Sequence, residues 1–152
     1  MSVSSVAPLP RRTTLKADET RELILGAAEL RFAATGFYPT RLEDIAEDVG
    51  ITRTAVIYHF QDKETLYNAV LERLFAQLND RISAALDSSL DLPARVEAAV
   101  EAWLDFAGAR PTLMRLFMRE VAGSEGGLRP EVQQFVDPMF ARLIGTLDEG
   151  RR

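Results

Sequence analysis

The segment from Thr40 to Lys63, TRLEDIAEDVGITRTAVIYHFQDK, limits the possible folds more than any other part of this chain. In its first half Leu42, Ile45, Ala46 and Val49 recur at i, i+3, i+4 and i+7, an apolar stripe of about two helical turns. Thr40 stands where a cap is needed, and Glu43 three residues on completes a capping-box pattern. Gly50 permits a sharp turn, and Thr52 is placed to cap the next helix. From Arg53 to Phe60 the chain then presents Arg53, Thr54, Tyr58 and His59, with Ala55, Val56, Ile57 and Phe60 left to pack inward. A helix, a glycine turn and a second helix make the helix-turn-helix pattern, in which the second helix lies in the major groove of DNA.

Charge pulls the other way. The formal net charge is -5, whereas proteins that bind nucleic acid usually show a basic footprint. Placement offsets this: no acid occurs from Val49 to Gln61, and Arg41 and Lys63 stand on either side. The acids nearby are expected on faces turned to solvent, because phosphate contact depends on local presentation. An apolar share of 47% with 27% charged is that of a globular chain, and 152 residues suffice for one domain or two small ones. Without cysteine there is neither disulfide nor thiolate metal site, which fits a reducing compartment. No apolar run approaches the ~20 residues of a membrane span, and the first residues lack the apolar core of a signal peptide. A cytoplasmic protein with no membrane partner is expected.

Residues 1–16 are small, polar and proline-bearing and read as a disordered arm. Arg11, Arg12 and Lys16 there either follow a DNA backbone or merely solubilise a tail. A first helix is expected from about Asp18 to Thr35, burying Leu23, Ile24, Ala27, Ala28 and Phe32 and ending at Gly36. The two short helices come next. A fourth starts at the Asp62 cap and carries Leu66, Val70, Leu74, Leu78 and Ile82 to about Leu86. Ser88 to Pro93 is a turn-rich break. Beyond it come an amphipathic helix from Ala94 to Ala109, with Val96, Val100, Leu104 and Ala107 on one flank, and another from Leu113 to Val121 after Pro111. Gly123 to Gly127 reads as a loop, and a last helix runs from roughly Pro130 to Glu149. With no alternating pattern anywhere, the chain is all-α. The expected division is an arm (1–16), a three-helix helix-turn-helix domain (17–63) and a helical regulatory bundle (64–152).

The ordered string Ile24, Ala27-Ala28, Phe32-Ala33, Gly36-Phe37, Thr40, Asp44-Ile45-Ala46, Val49-Gly50-Ile51-Thr52, His59-Phe60, Lys63-Glu64 and Leu66 resembles the N-terminal region of the TetR (tetracycline-repressor-like) family of bacterial transcriptional regulators. The resemblance implies a ligand-responsive regulator, typically a repressor, that binds a double-stranded DNA operator as a homodimer. It implies DNA-binding roles for Thr40, Arg41, Thr52, Arg53, Thr54, Tyr58, His59 and Lys63. Thr40 would cap the second helix and touch a phosphate, Arg53 and Thr54 would reach base edges, Tyr58 would meet the sugar-phosphate backbone and Lys63 would anchor a phosphate. Set beside these roles are bland ones: Thr40 as a cap only, Arg53 as a solvated arginine, Tyr58 and His59 as packing residues. The chain departs from the family's pattern at Ile57, where a tyrosine usually donates to phosphate, and at Thr54, often glycine. Arg31 stands where leucine is usual and must snorkel or find an acid, with Leu30 shifting inward to compensate.

By the same resemblance two further long helices would complete the dimer interface, so the regulatory bundle is expected to be incomplete, as a fragment or a shortened relative. Trp103, Phe106, Met114, Phe117, Met118, Phe135, Met139 and Phe140 are expected to line an apolar effector pocket, or else to form an ordinary core. The route from pocket to DNA would run from the helix after Pro111 to the fourth helix. The alternative is a binding module of the same fold that lacks operator recognition. An enzyme is not expected: no Ser/His/Asp set, metal cluster or phosphate loop is present, His59 is the only histidine, and no cofactor is implied.

Overall fold

The computed structural model describes residues 12–123, 128 and 130–149. Seven helices and no strand occur among them: α1 (Arg12–Thr35), α2 (Leu42–Val49), α3 (Arg53–Phe60), α4 (Lys63–Leu86), α5 (Leu92–Ala109), α6 (Pro111–Gly123) and α7 (Pro130–Glu149). The long α4 is the shared axis. It packs on α1 and α3 near its start and on α5 and α7 further along, while α1 also carries α2 and α6.

Local chemistry sets most boundaries. Gly36 ends α1 at a φ of 90°, its N–H donating to Phe32 O at 2.9 Å. Asp62 caps α4 by accepting from Thr65 N at 2.7 Å, and Asp91 caps α5 by accepting from Ala94 N at 3.0 Å. The periodic set on α4 is buried as its spacing requires, from Leu66 through Val70, Leu74, Leu78 and Ile82 to Leu86. Around it close Ile24 and Phe32 of α1, Ile45 of α2, and Val56 and Phe60 of α3. Phe32 meets the Tyr67 ring edge-on at 4.9 Å between centroids, a preferred aromatic geometry.

Several expectations change. The first helix begins at Arg12, so residues 12–16 of the expected arm are helical, while 1–11 lie outside the described residues. After Pro10 nothing breaks a helix before Gly26, so backbone bonding runs back further than side-chain patterning suggested. Leu23 is 61% exposed and Leu25 is buried instead, because α1 is covered by α6 as well as by α2 and α4, which turns its inner face toward Leu25, Glu29 and Ala33. Leu30 does not move inward; it is exposed, and Arg31 is satisfied by Asp48 through a two-pronged ion pair with both contacts at 2.6 Å. On α5 the buried positions are Ala99 and Phe106, whereas Val100 and Leu104 of the expected flank are exposed. The expected loop at 123–127 begins within α6 at Gly123, and residues 124–127 lie outside the described residues.

Candidate nucleic-acid interface and apolar cavity

The turn between α2 and α3 is built as its sequence suggests. Gly50 takes a left-handed conformation (φ 74°, ψ 33°), and Ile51 N–H closes back onto Ala46 O at 3.0 Å. Thr52 is extended, and its hydroxyl accepts from Ala55 N at 3.1 Å, capping α3. Val56 and Phe60 anchor α3 inward, Phe60 lying beneath the Arg21 guanidinium at 4.7 Å. Ala55 and Ile57 are half-buried, and Ile57 packs against the core. Thr52, Arg53, Thr54 and Tyr58 are exposed together along α3, with Tyr58 at 82%, and half-buried His59 meets the Tyr58 ring edge-on.

Thr40 does not cap α2. Arg41 holds the cap position without a side-chain bond, and Thr40 is 3% exposed. Its hydroxyl donates to Gly36 O at 2.7 Å and pairs with Thr35 Oγ1 at 2.9 Å, so it closes the loop onto the end of α1. The capping-box spacing suits a helix start, but the loop's own unpaired carbonyl competes for the same hydroxyl. Lys63 serves this loop from the other side: Nζ donates to Tyr38 O at 3.2 Å and Thr40 O at 3.1 Å and lies 4.5 Å from the Phe37 ring centre.

Three features escaped sequence reasoning. Tyr38 projects from the loop at 86% exposure, its ring edge-on to Phe37. The signal was an aromatic squeezed between Phe37 and Pro39. Gln61 has φ 64° and ψ -57°, and Asp62 N–H donates to Phe60 O at 2.7 Å across it, a γ-turn that swings α4 away directly after α3. The nearby acids, moreover, are not simply turned to solvent. Glu43 of α2 pairs with Arg53 Nε at 2.8 Å, and Asp44 makes two contacts to Arg41 at 2.8 and 3.2 Å. The Arg41 hydrogen bond holds the Asp44 carboxyl below the ordinary aspartate range, and Arg31 does the same to Asp48.

Away from this face, a cavity of about 310 Å³ lies among α4, α5, α6 and α7. Of the residues expected to line it, Trp103, Met114, Phe117, Met139 and Phe140 do. Phe106 is instead buried with Arg81 5.5 Å from its ring centre, Phe135 stacks on Phe75, and Met118 is exposed. One wall was missed altogether: Phe75, Leu78 and Ile82 of α4, at i, i+3 and i+7, which periodicity marks as core without saying what they face. Between cavity and helix-turn-helix stands α6. Its Leu113, Met114 and Phe117 touch the cavity, while Thr112 donates to Glu29 and Arg119 Nε donates to Ala33 O at 3.1 Å, both on α1. Glu120, near the end of α6, accepts from the Tyr67 hydroxyl on α4. Among the described residues no group of three His, Asp or Glu is placed to hold a metal ion. No helix there is long and apolar enough to cross a membrane.

Residues 24–70, covering α2, α3 and most of the surrounding core, match the model of the bacterial regulatory proteins of the tetR family. Across residues 24–70 the chain is of this family. Among its relatives, the transcriptional activator FasR of Mycolicibacterium smegmatis is 35% identical over 96 residues, 63% of this chain and 44% of FasR. The transcriptional regulator RutR of Escherichia coli is 30% identical over 135 residues, 86% of this chain and 63% of RutR. TtgR of Pseudomonas putida is 42% identical over 78 residues, 51% of this chain and 37% of TtgR. The chain thus spans between 37% and 63% of the length of these curated relatives. A TetR-family regulator from Marinobacter aquaeolei superposes with a TM-score of 0.76 at 22% identity, covering 91% of this chain and 71% of that one. The fatty acid degradation regulator FadR from Bacillus halodurans reaches 0.76 at 19% identity, covering 86% and 68%. These two establish the tetR-family fold, a helix-turn-helix followed by a helical bundle.

Proposed function

We propose that this chain is the operator-binding and effector-binding part of a cytoplasmic transcriptional repressor, and that it has no catalytic role. One observation carries the reading: α3 is capped at Thr52, pinned by Val56 and Phe60, and left with Thr52, Arg53, Thr54 and Tyr58 exposed along its length. A rigid short helix with polar side chains outward is what major-groove reading needs. Arg53 reads a base edge with Thr54 beside it, while Tyr58, Arg41 and Thr52 contact the backbone and His59 supports Tyr58. Thr40 and Lys63 act mainly by holding the loop that carries Tyr38 and Arg41, since their polar atoms are already engaged there. Functional binding requires two copies, because two recognition helices about 34 Å apart read a two-fold site.

The cavity holds a small apolar effector, and α6 carries its presence to the DNA-binding face through α1 as well as α4. Binding there releases DNA if the effector prefers the conformation with wrongly spaced recognition helices. The test is fluorescence anisotropy on genomic fragments selected by the protein, across a salt series, with and without a neutral naphthylamine probe as cavity ligand. Affinity falling steeply with salt and with bound probe is the expected result. Salt-independent or undetectable duplex binding would instead favour a module of the same fold without operator recognition, a reading supported by the ion pairs that occupy Arg41 and Arg53.

A further inference from the structure

We propose that Glu43 and Asp44 on α2 act as built-in competitors for DNA phosphate, so that Arg53 reads a base in preference to gripping the backbone and Arg41 grips the backbone less strongly. The proposal rests on the DNA-binding reading above and concerns how that same face is tuned. Three ion pairs place acids of α2 beside arginines of this region: Glu43 with Arg53 of α3, Asp44 with Arg41 at the helix start, and Asp48 with Arg31 of α1. The arginine and carboxylate of the Arg53–Glu43 pair are each about half exposed, at 55% and 54%, so both stand at the surface the duplex would meet.

Charge and geometry give this arrangement its effect. Binding without sequence preference comes from cations that displace counterions from phosphates. An arginine held by a carboxylate contributes little to that attraction, because the pair is close to neutral at a distance and the carboxylate repels phosphate. A guanidinium carries five N–H donors in a fixed plane, so an ion pair through Nε orients the group while other donors point elsewhere. Guanine offers the fitting target, two acceptors in the plane of the base. The acid therefore lowers affinity for any duplex more than affinity for the right one. The acidic balance of the chain then has a role: acids next to the reading helix raise discrimination.

The experiment uses the whole 152-residue chain, its variants Glu43→Gln, Asp44→Asn and the double variant, and Glu97→Gln as a control that changes charge equally on exposed α5. Anisotropy is read on a duplex of random sequence at several salt concentrations. Each α2 variant is expected to bind random duplex roughly three-fold more tightly than Glu97→Gln at low salt, the scale of one unit charge acting through water over several ångströms. The double variant is expected to steepen the salt slope by about 0.9 for each phosphate newly engaged. In selections from a random duplex pool, Glu43→Gln is expected to give weaker enrichment of guanine than the parent chain. Parent binding with both α2 variants no tighter than Glu97→Gln overturns the proposal and leaves the DNA-binding reading standing. No binding of any duplex by the parent chain at low salt overturns the reading itself.

Discussion

Along the first turns of α4, Leu66, Tyr67, Val70 and Leu74 are sealed on all sides, Tyr67 against the rings of Phe32 and Phe37. Further along, the same helix presents Phe75, Leu78 and Ile82 to a cavity of about 310 Å³. Periodicity and residue type hardly change between the two stretches. What changes is the cover: α1 and, more lightly, α3 close over the first, whereas α5, α6 and α7 stand around the second with Val100, Leu104, Phe140 and Ile144 still exposed. A sealed core suits a region that must present fixed side chains, and a gap among apolar walls suits one that must admit something.

Stability measurements can break this comparison. Phe60→Ala removes a buried ring from the closed region and is expected to cost about 3–5 kcal/mol in urea unfolding. Phe117→Ala takes a ring of similar size from the cavity wall, where it already lacks neighbours on one side, and is expected to cost less than about 2 kcal/mol. Equal losses at the two positions would mean that the walls are in fact closed. Gly50→Ala forces a side chain into a left-handed turn and is expected to cost roughly 1–2 kcal/mol, and Thr52→Ala roughly 1 kcal/mol by loss of the α3 cap.

Ala99→Leu sharpens the contrast with the opposite sign. Extra methyl groups directed into the gap are expected to raise stability by about 1 kcal/mol and to abolish uptake of the neutral naphthylamine probe, measured by its fluorescence. The same change in a sealed core would overpack it. The smallest effect is on acid. Asp62, held by the Thr65 backbone N–H, and Asp44 and Asp48, held by arginines, all titrate below the ordinary value of 3.8. Stability from groups lowered in the folded state is complete above the unfolded value and lost as pH falls through the folded one. Thermal midpoints should therefore be flat from about pH 7 to about pH 5 and decline below about pH 4, and Asp62→Asn should shallow that decline.

Much of the candidate interface was legible in the residues. The stripe on α2, the Gly50 turn, the Thr52 and Asp62 caps and the buried series on α4 can all be read there, because each depends on neighbours three or four positions away. Reading failed where two structures competed for one side chain. Thr40 had the right spacing to cap α2, but the loop carbonyl of Gly36 lay within reach of its hydroxyl and took it. For Lys63 the resemblance pointed to phosphate and said nothing of the loop carbonyls and the Phe37 ring that its ammonium also meets. The cavity was half legible: aromatic and methionine residues marked the bundle, but Phe106, Phe135 and Met118 are not among its lining.

From the order of its residues alone this protein had to be helical, with a short second and third helix, a left-handed glycine between them and an exposed Arg53–Tyr58 edge. Helix periodicity and capping act within one or two turns, where covalent geometry already fixes who meets whom. Packing decided the rest. Arg31 found Asp48 across 17 positions, Arg119 reached Ala33 across 86, and four helices left a gap between them. Such meetings depend on the angle and register at which whole helices cross, and those are set by all of the buried side chains together.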